Sequence, residues 1–409
     1  MCKKSVYYYK DTIFLSVFTP RKFMDQSIKY DIVVCGAGVA GIAAAIAAAR
    51  RGKKVALIEK QCLIGGLATS GLIYIYLPLC DGGGKQLIGG IADEMIRRCT
   101  EYGPFDVPEK WGGPAGGNPG IKGERFQCCF SPAGFTLTLD KMLAEAGVDL
   151  WLDSVVTDVK MSGSKIESVN VFNSSGNIEA AAEQFIDASG GAYLAAMAGN
   201  QTVKTENRLT PWVMEMAEDP SFFHFTGPLH IQGVWSSCAG EDGLDDVTFG
   251  TVYPDCSRGR EVTDFIRESW DLIRYSYHKR DSKKNYPVHL PAMPQLRKVA
   301  YIDAEVVLQD SDQRKEFADS VGEVGYWRKN NCIWQTPYRS LLPKNVDNLL
   351  AAGRCIGAKD VAMEVFRVIP AAAMTGEAAG VAAALAMDEK CLPRELDFEL
   401  LNKNLHIRA

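Results

Sequence analysis

Short, mostly apolar runs with β-branched residues recur through the chain at Ile32–Cys35, Val55–Ile58, Val148–Leu152 and Asn348–Ala352. Runs of this length and texture suit strands buried on both faces of a parallel sheet. Helical patterns separate them. Ile42–Arg50 is almost all Ala with Ile, and Leu87–Arg98 sets Ile88, Ile91, Met95 and Arg98 at helical spacing. Phe135–Glu145 predicts a further helix, and Pro370–Met387 a long Ala-rich one with Pro370 in its first turn. Gly376 and Gly380 in that last helix allow close packing on a neighbour. Between residues 155 and 187 the pattern changes to β-type runs at Val155–Lys160, Ile166–Phe172 and Ile178–Asp187, divided by Ser-Gly and Ser-Ser-Gly-Asn turns. They predict a small antiparallel meander that leads back into the main sheet. From Asn200 to Asn331 the texture changes again, with aromatics at Trp212, Phe222, Phe223, Phe225, Trp235, Phe249 and Tyr253 and frequent prolines. Here Asp264–His278 and Asp312–Val321 read as helices, and the rest as irregular strands and loops.

The turn after the first run carries the chemistry. Gly36, Gly38 and Gly41 follow Cys35 with G-x-G-x-x-G spacing and open the Ala-rich helix. Gly36 permits the tight turn, Gly38 admits a pyrophosphate to the backbone, and Gly41 brings helix and sheet together. Glu59, at the carboxyl end of the second strand, is placed to accept the two ribose hydroxyls of an adenosine. A carboxylate there repels a 2′-phosphate and so argues against NADP, although Lys60 and Arg51 lie nearby. A second glycine loop, Gly65, Gly66 and Gly71, leaves the same strand and suits a ligand longer than a mononucleotide. Strand, glycine triplet, helix, strand and acidic end together predict dinucleotide binding; a ligand-free βαβ unit is the alternative. The fold class is α/β, a Rossmann-like domain of parallel sheet with β-meander, plus a smaller α+β substrate domain.

At 409 residues the chain exceeds one ordinary core, which points to two domains. Residues 24–199 and 332–391 make the discontinuous dinucleotide domain and 200–331 a substrate or cap domain. Residues 1–23 read as a disordered extension and 392–409 as a tail. The net charge of −5, with Lys and Arg scattered, gives nucleic acid no basic stripe to bind. Twelve cysteines contain no C-x-x-C pair, which disfavours zinc ribbons, iron–sulfur clusters and thioredoxin-type dithiols, and no metal site is expected. The apolar stretch Val368–Met387 carries Glu377 and reads as a buried helix, so no membrane span is expected. With no secretion signal in residues 1–23, the expected compartment is the cytoplasm. The Gly/Pro-rich loop over 103–123 is either a lid or a surface excursion.

The motifs YDIVVCGAGVAG, GGLATSG, FIDASGG, PYRSLLPKNVDNLLAAGRCIGA and FRVIPAAAMTGEAAGVAAALA, in this order, cover about half the chain. In them the sequence resembles FAD-dependent oxidoreductases of the two-dinucleotide-binding-domain kind, related to fumarate reductase flavoprotein subunits and GidA-like proteins. The resemblance implies FAD as cofactor. It places Gly36, Gly38 and Gly41 at the pyrophosphate, Glu59 with Lys60 beside it at the ribose, and Gly65, Gly66, Leu67 and Ala68 beside the flavin. The Val156 backbone would meet the adenine, Ala188, Ser189 and Gly190 would complete that end, and Gly353 and Arg354 would form the second cofactor motif. The start of the last helix, with Ala371, would face the pyrimidine edge of the ring. The chain departs from the family where Asp360, Glu364 and Val365 stand in place of a histidine and a Gly-Ser pair, so substrate chemistry is not carried over.

Arg367 is the first candidate for holding an anionic substrate or the flavin ring, with an ion pair to Glu364 or Asp360 as the alternative. Arg339 is the second. His224 and His230 are possible acids or bases, though a lone histidine is more often structural. Cys62 and Cys80 are too far apart in sequence for the redox pair of a disulfide reductase. The chain holds one G-x-G-x-x-G unit, which predicts slow reduction by free NADH or NADPH. The expected function is a dehydrogenase or reductase of a small organic molecule; the alternative is an FAD protein serving electron transfer or RNA modification. Oligomeric state is not legible.

Overall fold

In a computed structural model, residues 27–103, 106–113, 126–218, 229–233, 252–278 and 280–407 are described. The 1–23 extension, most of the 103–123 loop, and Phe222, Phe223, His224, Phe225, Trp235 and Phe249 lie outside them. His230 is a backbone position opposite Glu215 in a strand pair.

Five parallel strands form the central sheet, ordered Leu349–Ala351, Gln184–Asp187, Ile32–Cys35, Val55–Ile58, Asp149–Trp151. The first strand in sequence lies in the middle, so the order of connection reverses beside it, between Ile32–Cys35 and Gln184–Asp187. Such a switch point opens a crevice at the carboxyl ends of the strands.

Alternate residues of each strand feed two different layers. Ile32, Val34, Val55, Leu57, Ile186 and Leu350 face the helices Val39–Ala49, Gly90–Cys99, Pro132–Ala146 and Ile369–Asp388. Val33, Cys35, Ala56, Ile58, Phe185 and Leu349 face the meander Val155–Ser162, Lys165–Asn173 and Gly176–Ala181, which supplies Ile166, Val169, Val171 and Ala180. The result is helices, sheet and meander in three layers. A separate cluster of Leu209, Val213, Phe265, Leu272, Ile273 and Val299 forms under the helix Gly259–His278.

Two expectations need correction. The run Ile178–Asp187 is two strands. The Glu183 and Gln184 amides both donate to the Asp31 carbonyl, 3.2 and 3.1 Å, which turns the chain from the meander into the sheet. Apolar residues on both sides of Ala182–Glu183 hide the break. Asp312–Val321 is not a helix. Asp312 closes a single turn by accepting the Gln309 amide at 3.1 Å, Arg314 adopts φ +62°, and Ser320–Gly325 pairs antiparallel with Ile333–Pro337. Short helices at Tyr193–Met197, Asp360–Phe366 and Phe398–Asn404 were not anticipated.

Among the described residues one helix, Ile369–Asp388, is long and apolar enough to cross a membrane, and 89% of its apolar window is buried inside the protein.

Candidate cofactor and substrate site

The sequence-predicted residues meet at one edge of the sheet because each follows the end of a parallel strand. Cys35 is in register with Ile58 and with Asp187, and Asp187 with Ala351. One step beyond that row come Gly36, Glu59, Ala188 and, after Ala352, Gly353.

The glycines divide into those that close the structure and one that leaves it open. Gly36 has φ +98°, and a Cβ there would lie 2.6 Å from the Ala188 carbonyl oxygen. A Cβ on Gly41 would lie 1.8 Å from the Gly36 oxygen, so only glycine lets the helix start this close to the turn. Gly38 differs. Its φ of −71° suits any residue, and a Cβ there would meet nothing within 4 Å. Open space beside Gly38, at a helix start with no side-chain cap, is the cradle a pyrophosphate requires.

The second glycine loop is stitched to the first. Gly65 donates its amide to the Ala37 carbonyl at 2.7 Å, and Gly38 and Gly65 form a parallel bridge. Gly66 and Leu67 are partly exposed along this seam, while Ala68 is buried. Glu59 is buried and accepts the Ala37 amide at 2.7 Å and the Gln61 amide at 2.9 Å. Burial pushes its carboxyl up, and those two amides pull it back. Lys60 is exposed and lies over the Tyr193 ring, 6.0 Å from its centre. Val156 follows Ser154, whose amide donates to the Glu59 carbonyl at 3.0 Å, so the meander begins at this same edge.

Asp187, which sequence reasoning did not single out, organises the adjoining turn. Fully buried, it accepts the Ser189 amide at 3.0 Å, the Ser189 hydroxyl at 2.6 Å and the Ala195 amide at 2.9 Å. Burial raises its pKa against those donors. Gly190 has φ +75° and lies under the Arg354 guanidinium, so that a Cβ would come 2.6 Å from Nε. Arg354 also donates to the Leu296 carbonyl. Gly353, at φ +70°, donates its amide to Thr375 Oγ1 at 2.9 Å, tying the second motif to the C-terminal helix. Ala371 is buried in the first turn of that helix.

Residues of the 200–331 stretch close over this edge. The Ala292 amide donates to the Ser70 carbonyl at 2.8 Å, Gln295 bridges the Trp212 amide to the Gly71 carbonyl, and Trp212 meets Tyr74 edge to face at 5.6 Å.

The two arginine candidates separate. Arg367 donates from Nε to Glu364 Oε2 at 2.7 Å, and Glu364 Oε1 also pairs with Lys298 at 3.2 Å. The arginine and lysine hold the Glu364 carboxyl below its usual range against the opposing effect of burial. Arg339 is half-exposed in a two-point pair with Asp319, at 2.9 and 3.1 Å, and takes no part in this group. Arg297, a further residue the sequence did not single out, stands beside Arg367 and Arg354. Burial first and then the Arg367 charge push its pKa down to about 9, which leaves it protonated at neutral pH.

A model of the family described as FAD dependent oxidoreductase matches residues 31–210 and 298–405, which hold the strand ends, both glycine loops and the start of the C-terminal helix but not Trp212, Ala292, Gln295 or Arg297. The chain belongs to the FAD dependent oxidoreductase family. It is therefore an enzyme, and FAD is its cofactor. Kinship with fumarate reductase flavoprotein subunits or GidA-like proteins is a finer statement that the matches do not carry. A digeranylgeranylglycerophospholipid reductase from Picrophilus torridus is 30% identical over 169 residues, 40% of each chain. A soluble pyridine nucleotide transhydrogenase from Chromohalobacter salexigens is 55% identical over 40 residues, 10% of this chain and 9% of the other. The chain thus matches less than half the length of either curated relative. A geranylgeranyl bacteriochlorophyll reductase-like protein from Thermoplasma acidophilum superposes with a TM-score of 0.48 at 17% identity, covering 93% of this chain and 83% of that one.

Proposed function

We propose that this FAD dependent oxidoreductase acts on a small organic molecule held between the cofactor edge and the 200–331 stretch, which serves as a cap over a cofactor unit made of 24–199 and 332–391. The observation that carries the reading is the open cradle at Gly38, bridged to Gly65 of the same glycine loop whose far end, Ser70 and Gly71, is closed by Ala292 and Gln295. The residues present fit the cofactor. Gly36, Gly38 and Gly41 with the first helix start would take the pyrophosphate, and Glu59, with Lys60 outside it, the adenosine ribose. Val156 and Ala188, Ser189 and Gly190 line the adenosine end, while Gly65, Gly66, Leu67 and Ala68 would border the ring. Gly353 and Arg354, the latter against Gly190, would form the second cofactor motif, while the start of the C-terminal helix, with Ala371 in its first turn, would face the ring with its positive end, which favours negative charge.

Bound FAD supplies the two-electron chemistry. The protein's own part is to orient the substrate and exclude water, which the seam of buried Trp212 and Gln295 against Gly71 does. Arg367 is the candidate for direct contact with the reacting partners. Arg339, engaged by Asp319, is better suited to holding the Ser320–Gly325 strand in place.

Heating or acidifying the purified protein should release about one FAD per chain into the supernatant. A colourless protein, or flavin that stays with the precipitate, would defeat the reading. Anaerobic mixing with a panel of small organic molecules then identifies the substrate by bleaching of the flavin absorption.

A further inference from the structure

Four cations gather where the 200–331 stretch meets the C-terminal part of the chain, around a single carboxylate. Lys298 and Arg367 take the two oxygens of Glu364 separately, at 3.2 and 2.7 Å, so that carboxylate has no oxygen to spare. Arg354 is joined to the same cluster through the chain itself, since it donates to the carbonyl of Leu296, two residues before Lys298. Arg297 follows Leu296 and lies close enough to Arg367, Arg354 and Glu364 for their charges to act on it. Its Nε and Nη2 reach only Thr210, at 3.5 Å from the hydroxyl and 3.4 Å from the carbonyl. Among the described residues no carboxylate pairs with Arg297 or Arg354. All four cations are at most partly exposed.

Charge of one sign in a place only partly open to water is unfavourable unless an anion completes it. Arg354 lies against Gly190 at the strand ends and so borders the cofactor. Arg297 follows Leu296 in the chain and hydrogen-bonds to Thr210, which belongs with the capping stretch. A guanidinium held by Nε and Nη2 keeps Nη1 directed elsewhere, and its planar fork suits the two oxygens of an oxyanion.

We propose that Arg297, with Arg367 beside it, binds an oxyanion carried by the substrate, so that this enzyme works on organic acids or phosphate esters. This rests on the function proposed above and narrows it to an anionic substrate class. Arg297 supplies position: it fixes one end of the molecule while the reacting carbon lies toward the flavin. Glu364 is a positioning residue, fixing Arg367 and Lys298 through its two separate oxygens.

The test is a titration of the flavin-loaded protein, read as the difference spectrum of the bound flavin. Benzoate and succinate probe carboxylate, inorganic phosphate probes phosphate, and benzamide and chloride serve as neutral and ionic-strength controls. A saturable perturbation by benzoate, succinate or phosphate, absent with benzamide and chloride, is expected, and which anion gives it assigns the group. Arg297→Met should weaken that binding about 10- to 100-fold, the effect of losing a charged hydrogen-bond pair, with the flavin-to-protein ratio unchanged. Arg297→Lys, which keeps charge and stem, should fall between. Thr210→Val, which removes the hydroxyl partner of Nε but keeps the carbonyl partner of Nη2, should weaken binding less. No saturable response to any oxyanion in the unmutated protein overturns the proposal, as does an unchanged response in Arg297→Met. Loss of flavin in Arg297→Met and Arg297→Lys alike also overturns it, since the cluster would then belong to the cofactor. Failure of the functional reading looks different, because the protein would then hold no releasable flavin at all.

Discussion

Gly376 approaches Ala40 so closely that a Cβ on the glycine would come 2.1 Å from the Ala40 carbonyl oxygen, and Gly380 repeats the contact with Ala44 at 2.2 Å. Both partners advance by four residues in the same direction, so the helices Val39–Ala49 and Ile369–Asp388 run parallel. Both positive ends consequently point toward the cofactor edge, and because Ala40 is the second residue of its helix and Gly376 the eighth of its own, the Ile369 end reaches about 9 Å further.

Gly376→Ala inserts a methyl group where a backbone oxygen already stands. Separating the helices should cost about 1–3 kcal/mol of stability, measured by urea unfolding, and should also lower flavin occupancy because both helix starts move. A variant as stable as the parent would mean that the two helices slide apart freely.

Gly38→Ala should do the reverse. Its φ is ordinary and its Cβ has open space, so the apoprotein should unfold at the same urea concentration as the parent, within about 0.5 kcal/mol. FAD affinity should nevertheless fall, and Gly38→Val should abolish binding. Full flavin occupancy in a folded Gly38→Val protein would place the pyrophosphate elsewhere.

Glu377, in the C-terminal helix, accepts the Ile91 amide at 2.8 Å and is only 4% exposed. Burial pushes its pKa up to about 7, Glu94 adds to this, and the Ile91 amide and Arg50 oppose it. The folded value exceeds the unfolded one, so the contribution to stability is complete below about pH 4.5 and is lost as pH rises through 7. Glu377→Gln should remove that decline and make the protein more stable than the parent at pH 8, by about 1–3 kcal/mol. Urea unfolding at pH 5.5 and 8 measures the difference; parallel slopes in parent and variant would contradict it.

Arg367→Lys keeps a positive charge but not the geometry that reaches Glu364 Oε2 from Nε. Turnover of a substrate found by flavin bleaching should drop at least about tenfold, while unfolding stability changes by about 1 kcal/mol or less. Unchanged turnover would make Arg367 an ion-pair partner and nothing more.

The cofactor edge was legible because each of its residues answers to a local rule. Gly36 occupies a positive-φ turn, Gly41 a helix start pressed on that turn, and Glu59 the end of an apolar strand. Gly376 and Gly380 were read as packing residues for the same local reason, without their partners being known. Arg297 was not legible. It belongs to QLRKVA, a stretch with no helical or alternating pattern, and its meaning comes from Arg354 and Arg367, which reach it only through the fold. Asp187 was hidden in another way, since a carboxylate ending an apolar strand reads as a surface residue until the turn above it is seen to bury it. The break at Ala182–Glu183 was masked by apolar residues on both sides, and the false helix at Asp312–Val321 began from a real capped turn that Arg314, at positive φ, then leaves.

The strand Leu349–Ala351 completes the central sheet beside Gln184–Asp187, yet it is made more than 300 residues after Ile32–Cys35. A ribosome adding about 5–20 residues per second leaves the growing chain without that strand for roughly 15–60 s after the first one appears. Through that interval the alanine face of Val39–Ala49 has no partner helix, and over its second half, once Gln184–Asp187 has been made, Phe185 and Ile186 stand on an open sheet edge. The growing chain thus carries an unpaired sheet edge and an uncovered helix face until Leu349–Ala351 and Ile369–Asp388 have been made.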